Sequence, residues 1–180
     1  MEIVRLAKRS DLAALLAFQE ESLFSFRLPP YAALAEEELS QAIEDGRVKV
    51  FIRERRILAM TVYTHDVIGS LFPKTHSRRN CDDLLEKLGC QSMETLVFTH
   101  VFLSLRDEKF EGAKRLFLSF FAEKKGADFL ALSPQEDSEK HRFFLTLGFQ
   151  ASLEQIESEY PVSLHVKAYV APGLCRNIGW

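Results

Sequence analysis

Cysteine is scarce in this chain: Cys81, Cys90 and Cys175 are odd in number and form no CxxC pair. A disulfide framework is therefore not expected, and the intervals among His76, Cys81, Cys90 and His100 match no standard zinc-ligand spacing, so no metal site is expected either. Long hydrophobic runs are missing as well. Charges interrupt every apolar stretch well short of the roughly 20 residues that a membrane-crossing helix needs. An excess of one charge is also lacking, since 23 Lys+Arg stand against 26 Asp+Glu for a net charge of −3, with a pI near 6.0. No broad positive field exists to hold nucleic acid or an anionic membrane. Residues 1–6 carry no apolar signal segment, and a cytoplasmic location is expected. Repeats, low-complexity tracts and linker-like stretches are absent, which points to a single domain over residues 1–180.

What the chain does have is a core's worth of apolar side chains, 47% of its residues, with fifteen Phe among them. So many rings imply a bulky core or a greasy ligand pocket, and core filling is the ordinary use of aromatics. Residues 2–6 alternate as a short strand. Ser10 then offers a side-chain oxygen to cap a helix that begins at Asp11 and sets Leu12, Leu15, Leu16 and Leu23 near one face. Pro29 and Pro30 break the chain before a second amphipathic helix over about 31–45, ended by Gly46. Residues 48–53 and 57–64 read as an antiparallel pair joined by charged residues Glu54, Arg55 and Arg56.

From 67 to 92 the periodicity fades into an insertion or long loop, with one short helix predicted over 81–88 and stopped by Gly89. Residues 95–105 form the strongest strand, apolar on both faces as a central strand covered by helices would be. A helix over about 112–125 follows, then a buried strand at 128–132, a helix over 137–147 closed by Gly148, and an alternating strand at 163–170. Residues 171–180, ending in Trp180, read as a C-terminal tail able to dock a partner or fold back. The resulting order is β-α-α-β-β-β-α-β-α-β-β in one mixed α/β sheet.

Three local segments carry a resemblance. Residues 3–12 look like a first strand running into a first helix. Lys125-Gly126-Ala127-Asp128 looks like a turn into a fifth strand, and the segment from Phe143 and Phe144 through Gly148 and Phe149 looks like a Phe-Tyr-x-x-x-Gly-Phe motif. In order and spacing they resemble the GNAT (N-acetyltransferase) superfamily over most of residues 1–170. The resemblance implies a GNAT-like acyltransferase fold whose central strand diverges from its neighbour to admit an acyl thioester, acetyl-CoA or another acyl-CoA, for direct attack by a small-molecule amine.

It also implies the site residues. The stretch Arg106-Asp107-Glu108-Lys109-Phe110-Glu111-Gly112-Ala113 corresponds to the motif whose backbone N–H groups cradle a pyrophosphate. It keeps Gly-Ala at a helix start, lacks the first glycine and adds three acids. On this reading Leu103, Ser104 and Leu105 hold the pantetheine arm, and Lys109, Phe110, Glu111, Gly112, Ala113 and Lys114 hold the phosphates. The family's general acid is a Tyr where this chain has Phe144, which cannot donate a proton. His100 and Glu94 are the candidate bases, with Ser104 and Tyr160 as further polar candidates near the cleft. His100 is expected on the same strand face as Phe98 and Phe102, and its more ordinary reading is a core histidine bonded to a neighbour.

The insertion before the central strand is similar, more loosely, to that of acyl-homoserine-lactone and N-acyl amino acid synthases, which would imply a long acyl chain delivered by acyl carrier protein. A third reading, a GNAT-like domain without chemistry that serves as a binding module, follows from Phe144 and the acidic loop.

Overall fold

The computed structural model describes residues 1–90 and 95–168. Seven strands form one sheet in the order β1-β2-β3-β4-β5-β7-β6. They are β1 (Glu2–Leu6), β2 (Val48–Arg53), β3 (Arg56–Thr64), β4 (Thr95–Leu103), β5 (Asp128–Pro134), β6 (Gln150–Ser152) and β7 (Val162–Lys167). All neighbours are antiparallel except β4 and β5. The mixed α/β sheet and the succession of seven strands expected from the sequence are both present, with two helices added between β3 and β4.

On one face lie α5 (Glu111–Glu123) and α6 (Ser138–Thr146) over a close-packed set of rings that includes Phe98, Phe117, Phe120, Phe129, Phe143 and Phe144. The phenylalanines are thus mainly core. On the other face α1 (Leu12–Ser25) and α2 (Glu36–Glu44) cover Val48, Val50, Met60, Val62 and Phe102. Beside them α3 (Val67–Leu71) and α4 (Arg78–Leu88) cover Val97, Leu130, Leu164 and Val166. Among the described residues no helix is long and apolar enough to cross a membrane.

Several elements differ from expectation, each for a local reason. The chain runs through a 3-10 turn at Arg9–Asp11 before α1 starts at Leu12, so Ser10 does not cap the helix. Asp11 instead pairs with Arg5 at 2.7 Å and accepts from the Lys8 N–H. The second helix begins five residues later than predicted. Pro30 opens a 3-10 turn, Pro30–Ala32, and the chain then extends at Ala33 and Ala35 before α2 starts. Buried Gln19 holds this extended piece, donating to the Leu34 carbonyl at 2.7 Å and accepting from its N–H at 3.3 Å.

The segment read as a loop with one short helix contains two. Asp66 caps α3 by accepting from the Gly69 N–H, and Ser77 caps α4 by accepting from the Asn80 N–H. Together they bury Val67, Leu71, Cys81, Leu84, Leu85 and Cys90 against the sheet. Gly89 does end the helix, in the left-handed conformation.

Candidate active site in the opening between β4 and β5

The opening begins with one extra residue. In the β3–β4 pairing Val62 faces His100 while Tyr63 faces Phe98, so Thr99 stands opposite no residue and forms a bulge. A bulge bends and twists its strand. On the other edge of β4, pairing with β5 runs from Thr95↔Asp128 to Phe98↔Ala131 and stops there, one residue before the bulge. Beyond it β4 stays with β3 as far as Leu103, and β5 stays with β7 as far as Pro134. The two strands therefore splay, and the edge of β4 over Thr99–Leu103 loses its neighbour.

The bulge also changes which side chains share a face. Strict alternation puts Phe98, His100 and Phe102 together. With one residue added, Phe98 joins Val101 and Leu103 beneath α5, whereas Phe102 joins the cluster beneath α1 and α2. His100 goes with Phe102, their rings 6.2 Å apart and nearly parallel, and not with Phe98.

The splay encloses a cavity of about 310 Å³ lined by Thr99, His100 and Phe102 of β4, Ser133 of β5 and Lys140 of α6. Tyr31 and Tyr160 stand at its rim, stacked at 3.9 Å between centroids. Tyr160, one of the polar candidates from sequence, does reach the cleft. Thr99 Oγ donates its proton to the Val62 carbonyl, so towards the His100 Nδ1 at 3.2 Å it acts as acceptor. That places the neutral ring's proton on Nδ1 and leaves Nε2 as the acceptor. Burial, with the charge of Lys140 second, pushes His100 down to about 4, so the ring is neutral at pH 7.

Lys140 was not singled out from sequence. Its ammonium lies 3.1 Å from the Asp137 carboxylate, and both side chains are almost wholly buried. Asp137 is also the N-cap of α6, accepting from the Lys140 N–H at 2.9 Å. Burial lowers the Lys140 ammonium's pKa, against the opposing pull of Asp137. The available signal was an Asp three residues before a Lys at the start of a helix, the spacing that puts both on one turn. Ser133 Oγ, also on the cleft wall, is buried without a hydrogen-bond partner.

Other candidates lie elsewhere. Ser104 lines a separate, larger cavity between α1 and β1–β3, and its Oγ accepts from the Arg106 N–H at 3.2 Å. Phe144 is fully buried against Phe117, Phe149 and His165 and does not line the cleft. Glu94 and the C-terminal tail fall outside the described residues.

The start of α5, expected to cradle phosphates, is already satisfied from within the chain. Asp107 is buried and its carboxylate accepts from the Gly112 N–H at 3.1 Å and the Ala113 N–H at 3.0 Å. The Phe110 N–H donates to the Asp107 carbonyl and the Glu111 N–H to that of Glu108. The Leu103 N–H donates to Ser22 Oγ and the Ser104 N–H to the Leu58 carbonyl. Leu105 is exposed, and Lys114 is engaged by Glu111 at 2.7 Å. Lys109 and Phe110 both adopt left-handed backbone without being glycine, and the Phe110 ring packs edge-on against Phe143 of α6. Gly112 is required for a reason other than a ligand: a Cβ there would collide with the ring of Phe51 on β2. The N–H groups of Phe110, Glu111, Gly112 and Ala113 at this helix start are thus paired within the chain, whereas the cleft retains a polar, partly open wall.

Neither a family model nor a curated protein matches the sequence, but solved structures match the fold. A GNAT-family acetyltransferase from Streptococcus agalactiae is 13% identical, with a TM-score of 0.70 over 94% of this chain and 96% of its own. A PaiA N-acetyltransferase from Thermoplasma acidophilum, in complex with coenzyme A, is 12% identical with a TM-score of 0.62 over 94% and 99%. A polyamine N-acetyltransferase from Drosophila melanogaster, which forms N-acetylagmatine, is 17% identical with a TM-score of 0.61 over 94% and 100%. What these share with the present chain across nearly its whole length is architecture, and the architecture of this chain is the GNAT acetyltransferase fold.

Proposed function

We propose that the chain is an N-acyltransferase that moves a short acyl group from an acyl thioester to an amine held in the cleft between β4 and β5. The observation that carries this reading is the splay itself: a bulged, half-unpaired β4 edge over a cavity with a neutral imidazole and a buried ammonium on its walls. The fold likeness to acetyltransferases supports it, with function resting on the site.

In the reaction the amine nitrogen forms a bond to the thioester carbonyl carbon, the carbonyl oxygen takes up negative charge, and the C–S bond then breaks to release thiolate. Among the described residues the Lys140 ammonium is the one charge on the cleft wall, so it is the group that stabilises the oxyanion. His100 is a weak base. Taking a proton from an alkylammonium near 10 onto a ring near 4 runs uphill by about 8 kcal/mol. Its role is to accept a hydrogen bond at Nε2 from an amine that arrives neutral, with the proton of the ammonium lost to water. After attack the nitrogen carries one proton more than the amide keeps; that proton passes to water in the cleft, and the departing thiolate takes one from water, since Phe144 has none to give.

No Asp or Glu is among the described residues that line the cleft, which argues for a small acceptor of low positive charge and against a polycation such as a polyamine. At about 310 Å³ the cavity is near the small end for ligand sites, and the Phe side chains that a long-chain tunnel would use are packed on one another. A short acyl group fits better than a long one. The satisfied α5 start favours a second reading, a binding module without turnover.

The test is thiol release from acetyl and dodecanoyl thioesters across a panel of amines and amino acids. Amine-dependent release faster with acetyl supports the assignment. Acyl-thioester binding without release under any amine gives the binding module instead.

A further inference from the structure

We infer that the acyl donor is recognised through its pantetheine thioester end alone, the Asp107 carboxylate occupying the anion position at the start of α5 that a nucleotide diphosphate would need. This inference rests on the acyltransferase reading above.

A helix start attracts anions because its first N–H groups point outward unsatisfied. Here the N–H groups of Phe110, Glu111, Gly112 and Ala113 all have acceptors inside the chain. Two of the four go to a single buried carboxylate, the charge and shape that a phosphate oxygen pair would present. Arg53 lies 3.8 Å from that carboxylate and is itself shared with Glu2, so the Asp107 charge is only partly offset. Three cations around the loop are engaged too, Arg106 with Glu21, Lys114 with Glu111 and Arg115 with Glu2, which leaves the exposed Lys109 side chain in solvent.

Two further contacts fix the arrangement. The α5 start presses so close to β2 that Gly112 has no room for a Cβ beside Phe51 and Asp107, and the Phe110 ring spans from α5 to Phe143 of α6. A diphosphate arriving here would meet a buried negative charge in the position it must fill, with the N–H groups of Phe110, Glu111, Gly112 and Ala113 behind it already taken. The donor class is therefore an acyl thioester of pantetheine, whether free, on phosphopantetheine or at the end of coenzyme A, with the nucleotide contributing no affinity.

Binding of acetyl-pantetheine and acetyl-CoA to the full chain, measured by calorimetry, tests this. The expected result is affinities equal within about threefold, and in Asp107→Ala a rise of about tenfold or more for acetyl-CoA alone, because two N–H donors are freed and a like charge is removed. Should that variant fail to fold, Asp107→Asn keeps an acceptor for the helix while removing the charge, and is expected to tighten acetyl-CoA by about threefold without moving acetyl-pantetheine. Tenfold preference for acetyl-CoA in the unmodified chain, or no selective gain in either variant, overturns the inference and leaves the acyltransferase reading intact. Failure of both thioesters to bind overturns that reading and the inference with it. If the inference holds, titration with acetylated carrier protein distinguishes the sources: saturation below the concentration needed for free acetyl-pantetheine assigns a protein-bound arm, and equal behaviour assigns the free thioester.

Discussion

One carboxylate, that of Asp137, holds both ends of Lys140: Oδ1 accepts from its backbone N–H at 2.9 Å, and Oδ2 lies 3.1 Å from its ammonium. The first turn of α6 is tied by this pair to the wall of the cleft, and it sets the one charge that the described residues bring to the cavity.

Breaking the pair from one side should be costly. Lys140→Met leaves the Asp137 charge buried without its partner, and a loss of about 3–5 kcal/mol in unfolding free energy is expected. Adding Asp137→Asn, which keeps the helix cap, should recover at least half of it in urea titrations. Acyl transfer, by contrast, stays down about 10²-fold in the double variant, because the oxyanion donor is still missing. Recovery of both together would mean that Lys140 serves structure alone.

Stability should depend on pH through two histidines. Burial, with His141 second, holds His165 at about 4, and burial with Lys140 second holds His100 there too. An unfolded His titrates near 6.5. Between those values the unfolded chain takes up protons that the fold does not, so stability is level above about pH 6.5 and falls as pH drops towards 4. For fully buried His165 the fall amounts to about 3 kcal/mol across the window. Urea midpoints at pH 7.5, 6.5, 5.5 and 4.5 should show a plateau then a decline, flattened in part by His165→Phe. Urea midpoints that stay level between pH 6.5 and 4.5 would contradict this assignment.

Gly112→Ala should act on stability before it acts on any ligand. The added Cβ meets the ring of Phe51, and overpacking of this kind costs about 1–3 kcal/mol. Phe51→Leu in the same chain should relieve part of that cost, as read by thermal melting. Loss of donor affinity in a Gly112 variant is thus no evidence for a phosphate site.

The stacked pair at the rim, Tyr31 and Tyr160, is half-exposed. A double-mutant cycle to Ala should give a coupling of about 0.5–1.5 kcal/mol. If the rings close over the acceptor, either single variant raises KM for the amine with kcat nearly unchanged. An unchanged KM would remove them from the acceptor site.

Much of the architecture was legible because it depends on local pattern. The hairpin shows this: Val48–Arg53 and Arg56–Thr64 pair as their alternation implies, turning at Glu54 and Arg55 in left-handed backbone. β4 is covered on both faces, as its two-sided apolar character required. The polar caps Asp66 and Ser77 were also local signals, but they announced two helices in a segment whose Gly, Pro and His content read as loop.

Position 99 was not legible. Nothing in the alternation of Thr95–Leu103 reveals an extra residue, because a bulge is a property of pairing with β3, and one inserted residue turns every side chain after it to the other face. The same holds for Asp107. As a residue in an acidic loop it reads as a repulsive charge, and only the fold brings its carboxylate beneath the N–H groups of Gly112 and Ala113, where it becomes the cap of α5.

By itself, then, the sequence determined the succession of strands, the mixed sheet and the aromatic core, since periodicity, breakers and burial act over a few residues at a time. The tertiary structure alone decided where the sheet opens, which face His100 takes, that Lys140 is the cleft's charge, and that the α5 start is closed by Asp107. Each of those depends on groups that meet only when strands and helices from distant parts of the chain set one another's register, and no local pattern encodes that meeting.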